Sequence, residues 1–151
     1  MCELQEIIQQ ANQVSTEKGF WEDYDKMIKK MKGLPKQFDN SDIERIKTAF
    51  YNEKISLIAS ELGEATEAMR RGNRFEGGKE GLEIISNLVD DTFKFQSSYV
   101  THIKDTFENE LADCFIRLCD LCCKMDIDIE RFIKLKMEYN KTRDVKHGKK
   151  F

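Results

Sequence analysis

The stretch "SLIASELGEATEAMRRG", residues 56–72, decides how this chain folds. Apolar residues recur in it at helical spacing, yet Glu61 and Glu64 stand among them. At about 100° per residue from Ile55, the side chains of Ile55, Ile58, Leu62, Ala65 and Met69 fall within an arc of about 80°. Leu57 and Ala68 lie beyond it, at roughly 200–220°. Glu61 falls between these two apolar groups and Glu64 beside Leu57, and the i, i+3 spacing points both carboxylates to one side. A carboxylate buried without a partner costs several kcal/mol or takes up a proton, so a positive partner is expected there.

A second segment, "ENELADCFIRLCDLCCKM", residues 108–125, repeats the anomaly. Glu110, Asp113, Arg117, Asp120 and Lys124 share one stripe about 80° wide. Leu111, Ala112, Cys114, Phe115, Ile116, Leu118, Cys119, Leu121, Cys122 and Cys123 cover nearly all the rest. A helix apolar around most of its circumference is expected at the centre of a bundle, and its polar stripe begins with another carboxylate pair at i, i+3.

Outward from these segments the chain reads as helical throughout. Leu4, Ile7, Ile8, Ala11 and Val14 predict an amphipathic helix over 3–17. Gly19 interrupts it, a short helix covers 21–31, and "GLP" ends that one. A long helix is expected to start at a cap on Asn40 or Ser41 and to stop at Gly72. A loop follows, then a helix over 79–95, a second long helix from 98 to 125, and a last helix over 129–143 capped by Asp128. With 151 residues, one proline and eight glycines, the prediction is a single all-α domain, a bundle of four to six helices. Within it, 73–100 forms a loop-plus-helix insertion and 144–151 a tail.

Composition excludes several roles. A formal charge of −3 is too acidic for a protein that wraps nucleic acid. No apolar run approaches the ~20 residues of a membrane helix, and "MCELQEIIQQ" does not read as a secretory signal. Four of the five cysteines crowd into one helix, which is no disulfide framework; a cytoplasmic protein is expected. Cys119, Cys122 and Cys123 point to different sides and read as packing residues rather than zinc ligands.

Two inward carboxylate pairs from neighbouring helices make an all-oxygen cage suited to Mg²⁺, with Mn²⁺ as a substitute. Solvated surface charges are the competing reading. A carboxylate-bridged di-iron centre would need Glu-x-x-His, and neither His102 nor His147 follows a glutamate by three. "DIDIE" at 126–130 lacks the central glycine of a calcium loop.

"ELGE" followed by "ELAD" resembles the Glu-x-x-Glu…Glu-x-x-Asp signature of the MazG-type all-α nucleoside triphosphate pyrophosphohydrolases. The likeness extends to "KGFW" at 18–21, "EKISLIASELGEATEAMRRG" at 53–72, "HIKDTFENELADCFIRLCDL" at 102–121 and "KMEYNKTRDVKHGKKF" at 136–151. The resemblance implies that Glu61, Glu64, Glu110 and Asp113 bind Mg²⁺. It implies cleavage between the α- and β-phosphates of a nucleoside triphosphate, giving the monophosphate and pyrophosphate. Lys136, Asn140 and Arg143 match nucleotide-contacting positions, and His147 and Lys149 belong to a phosphate-side tail. Asn12 falls where some relatives place a polar base contact. Trp21 matches a base-stacking aromatic; a packing role is the competing reading, and the "KGFW" match favours the base platform. A homodimer or tetramer is also implied. The ~45 residues between the two pairs are more than compact members carry, which leaves base preference open. A phosphoribosyl-ATP-cleaving enzyme and a non-catalytic helical interaction module are the alternatives.

Overall fold

The computed structural model describes residues 3–143, so the expected tail at 144–151, with His147 and Lys149, lies outside the described residues. The chain is all-helical, with no strand among the described residues. Among the described residues seven helices follow in order: α1 (Glu3–Glu17), α2 (Glu22–Lys32), α3 (Asn40–Arg71), α4 (Gly78–Ser86), α5 (Thr92–His102), α6 (Phe107–Lys124) and α7 (Ile129–Lys141). No helix among the described residues is long and apolar enough to cross a membrane.

Seven helices replace the expected four to six because two segments break where periodicity runs on. The helix expected over 79–95 ends at Ser86, and α5 begins anew at Thr92, capped by the Asp91 side chain on the Lys94 N–H. The second long helix breaks between α5 and α6. There the N–H groups of Ile103 and Lys104 both donate to Tyr99 O, and Asp105 turns the chain at φ 61°. Thr106 Oγ1 then accepts the Asn109 N–H at 3.3 Å, as a helix N-cap does. Aspartate enters the left-handed region more readily than most residues, so no glycine or proline marks this break in the sequence.

The ends of α3 are legible in the sequence to within a residue. Its N-cap is Asp39 rather than Asn40 or Ser41. Asp39 Oδ1 accepts the Asp42 N–H at 2.9 Å, and Asp42 Oδ2 accepts the Asp39 N–H at 3.1 Å, a reciprocal capping box. Gly72 ends the helix at φ 69°, with its N–H on Met69 O and the Asn73 N–H on Ala68 O. A Cβ at Gly72 would meet nothing within 4 Å. Gly72→Ala is therefore expected to cost only the left-handed backbone term, about 1–2 kcal/mol, as a lower urea midpoint at unchanged slope.

By its contacts the chain gathers into two compact units. Among the described residues, one holds α1, the segment up to Trp21 and residues 119–143, and the other spans Glu22–Leu118. In the first, Ile8, Ala11 and Cys119 form a buried cluster on which Leu4, Cys123 and Ile129 pack. In the second, α2 lies on α3: Tyr24 meets Phe50 edge-on at 5.4 Å and shares a 2.9 Å hydroxyl hydrogen bond with Tyr51. Helices α4 and α5 pack on each other.

The burial of α3 and α6 corrects the expected apolar faces. On α3 the buried residues of the "ELGE" region are Glu61, Ala65 and Ala68, spaced i, i+4, i+7. Ile55, Leu62 and Met69, from the expected packing arc, are exposed. On α6, Glu110 and Asp120 are buried, whereas Leu111, Phe115, Ile116 and Leu118 are 40–46% exposed. Glu110 and Asp120 of the polar stripe are thus buried along with Cys119, Leu121 and Cys122, while much of the remaining apolar circumference is uncovered.

Candidate metal centre

Glu61 sits on the buried stripe of α3 and is 7% exposed; Glu110, on the first turns of α6, is 6% exposed. Asp113, one turn further along α6, is half-buried. One carboxylate oxygen from each of the three lies within 4.8 Å of the others. Like charges this close repel, and the effect is visible on Glu110. Burial pushes its carboxyl above the usual glutamate range, a hydrogen bond from Asn109 opposes this, and the charges of Glu64, Asp113 and Glu61 push it further up.

One cation offsets part of this charge. Arg117 Nε lies 2.7 Å from Glu61 Oε1. The contact has the distance of an ion pair but not the alignment of a hydrogen bond, so among the described residues Nε is a buried donor without a hydrogen-bond partner. The distance establishes the charge pairing; the poor alignment means it does not fully satisfy the guanidinium.

Asn109 supplies the directional contacts. It is buried, its Nδ2 donates to Asp113 Oδ2 at 3.0 Å and, more weakly, to Glu110 Oε1 at 3.4 Å, and its Oδ1 accepts a short hydrogen bond from the Tyr99 hydroxyl. Burial, then the charges of Asp113 and Glu110, hold the Tyr99 hydroxyl above its ordinary range, so it stays protonated. Nearby, Glu108 ties the start of α6 to the loop after α3. Its carboxylate accepts the Phe75 N–H at 2.9 Å and pairs with Arg74, and these contacts lower its pKa, the backbone bond most.

An all-oxygen set of three carboxylates, buried enough to repel and incompletely neutralised, could hold a metal ion. Glu61, Glu110 and Asp113 are the residues that would hold it. Glu64 is outside this group: it is exposed, with Ser60 Oγ donating to its Oε1 at 3.4 Å, and reaches the cluster only through its charge on Glu110.

The remaining expected site residues lie in the other unit. Trp21 is 1% exposed, its Nε1 donates to both Asp120 oxygens at 2.9 and 3.0 Å, and Lys124 Nζ stands 5.1 Å from its ring centroid. A base platform needs an open ring face, and here the indole is packed. Asn12 Nδ2 donates to the same Asp120, at 2.7 Å, as does Ser15 Oγ at 2.8 Å. Lys136 and Asn140 on α7, and Arg143 just past it, are exposed. The charged ends of Lys136 and Arg143 lie 4.8 and 5.8 Å from the Tyr139 ring centroid. Cys119 and Cys122 are buried, and no cysteine joins a metal-ligating group among the described residues.

Asn109 and Tyr99 are what sequence reading missed. In one continuous helix their positions would stand about 15 Å apart along the axis. The break in the helix at 103–106 is where that continuous path ends, and its signal, Asp105-Thr106 before "FENELAD", is a cap without a helix breaker.

The sequence matches no protein-family model, and no curated protein and no solved structure matches it either.

Proposed function

We propose that this protein is a Mg²⁺-dependent hydrolase that cleaves a nucleoside triphosphate between its α- and β-phosphates, with deoxynucleoside triphosphates first among the candidate substrates. The observation that carries the reading is the convergence of Glu61, Glu110 and Asp113 from α3 and α6. The order of "ELGE" and "ELAD" and the i, i+3 spacing within each support it, as does the C-terminal "KMEYNKTRD" pattern. A triphosphate carries up to about four negative charges, and carboxylates approach it only with cations between. A bound Mg²⁺ supplies charge neutralisation, polarisation of the phosphoanhydride and a lowered pKa for an attacking water.

The chain's own groups then have separate tasks. Glu61, Glu110 and Asp113 hold the cation, and Arg117 keeps Glu61 in place by charge. Glu64, exposed one turn from Glu61, is assigned to the metal by the resemblance, and it or Glu61 would orient the attacking water. Lys136, Asn140 and Arg143 are assigned to the nucleotide by the resemblance, and cations of this kind suit the outer phosphates. The exposed Leu111, Phe115, Ile116 and Leu118 of α6 fit burial against a second copy of the chain. A homodimer, alone or doubled into a tetramer, belongs to the same proposal.

Incubation with a panel of nucleoside and deoxynucleoside triphosphates, and phosphoribosyl-ATP, in Mg²⁺ is expected to release pyrophosphate and the matching monophosphate from at least one substrate. Chelation should abolish the release. Folded protein that liberates pyrophosphate from none of them overturns the proposal.

A further inference from the structure

We infer that Tyr99, on the added helix α5, is a positioning residue for the cation site, acting through Asn109 on Asp113 and Glu110. This role rests on the proposed reading of Glu61, Glu110 and Asp113 as cation ligands and gives the inserted segment a part in it. Asn109 links the two α6 carboxylates, with Nδ2 donating to Asp113 Oδ2 at 3.0 Å and to Glu110 Oε1 at 3.4 Å.

A primary amide has two faces of opposite polarity. Turned one way, Asn109 offers donors to the carboxylates; turned the other, it offers Oδ1 and adds to their repulsion. The carboxylates, which only accept, select the first orientation, and the Tyr99 hydroxyl, donating to Oδ1, satisfies the other end of the amide and anchors it there. Each bonded carboxylate then keeps its second oxygen, Asp113 Oδ1 and Glu110 Oε2, for other partners. The amide thereby sets which oxygens face a cation and holds two mutually repelling groups at a fixed separation. Outer groups that orient metal ligands in this way change metal affinity by about 10–100-fold when removed.

The test is Mn²⁺ binding by the full-length chain, read by the loss of the free Mn²⁺ electron paramagnetic resonance signal. It needs no nucleotide and no turnover. Wild type, Tyr99→Phe, Asn109→Leu and the double variant are compared, with thermal midpoints recorded for each. Tyr99→Phe is expected to weaken Mn²⁺ binding about 10-fold. Asn109→Leu should weaken it at least as much, and Tyr99→Phe should then add nothing in the Asn109→Leu background.

Tyr99→Phe that lowers the melting temperature but leaves the Mn²⁺ affinity at the wild-type value makes Tyr99 a structural residue only and overturns the inference, leaving the proposed function standing. Fully additive effects overturn the route through Asn109. Wild-type protein that binds no Mn²⁺ removes the cation site itself, and the inference with it.

Discussion

Glu110→Gln is expected to eliminate hydrolysis while making the metal-free protein no less stable. The substitution removes a ligand at the centre of the acidic group, so the loss should exceed the ~10–100-fold that follows removal of an outer-sphere partner. The stability effect follows from the raised pKa of Glu110, caused by burial, with Glu64, Asp113 and Glu61 adding to it. A carboxyl whose folded-state pKa lies above its unfolded value binds more protons when folded. Between the two pKa values stability therefore falls as pH rises, and above the folded pKa the full repulsive cost is present.

Glutamine carries no charge at any of these pH values, so this penalty is absent from the variant. Two melting series across pH, with and without Mg²⁺, check both halves. Wild type without Mg²⁺ should lose stability as pH rises through the raised pKa, and Mg²⁺ should restore it. Glu110→Gln should show neither that slope nor the Mg²⁺ response. Asp113→Asn is expected to lose hydrolysis similarly. If Glu110→Gln hydrolyses triphosphates at the wild-type rate, Glu110 is not a ligand.

Trp21→Ala is expected to destabilise the fold by about 3–5 kcal/mol, more than any substitution in the acidic cluster. The indole is almost wholly buried, and its N–H is one of three side-chain donors, with Asn12 and Ser15, that satisfy the buried Asp120 carboxylate. Truncation opens a cavity and takes a donor from a buried charge at the same time. Trp21→Phe keeps most of the volume and loses only the N–H, so it should cost about 1.5–3 kcal/mol. Urea unfolding of the two variants separates these contributions. A Trp21→Ala protein of wild-type stability with a raised KM would instead return the indole to the substrate, as the family resemblance implies.

Asp120 shows how local pattern and three-dimensional context divide the information. On the sequence it is one more member of a polar stripe with Glu110, Asp113 and Arg117. In the fold it has no part in the acidic cluster and instead gathers Asn12, Ser15 and Trp21. Periodicity places a side chain on a face of its own helix and says nothing of what stands opposite. The same limit explains α6: its apolar majority predicted a central helix, yet Phe115 and Ile116 are exposed in the single chain.

The helical class, the end of α3 at Gly72 and the set of carboxylates able to meet are all written into the order of residues. Each depends on interactions within a few positions: helical period, backbone preference and charge spacing. That Glu61, Glu110 and Asp113 converge while Glu64 stays in solvent is a product of packing between helices. So is the burial of the Trp21 indole, and so is the meeting of Tyr99 with Asn109 across the turn at Asp105. Those outcomes depend on how separate helices pack and where a chain turns without glycine or proline. Such choices are settled by the free energy of many distant contacts together, which no short window of residues contains.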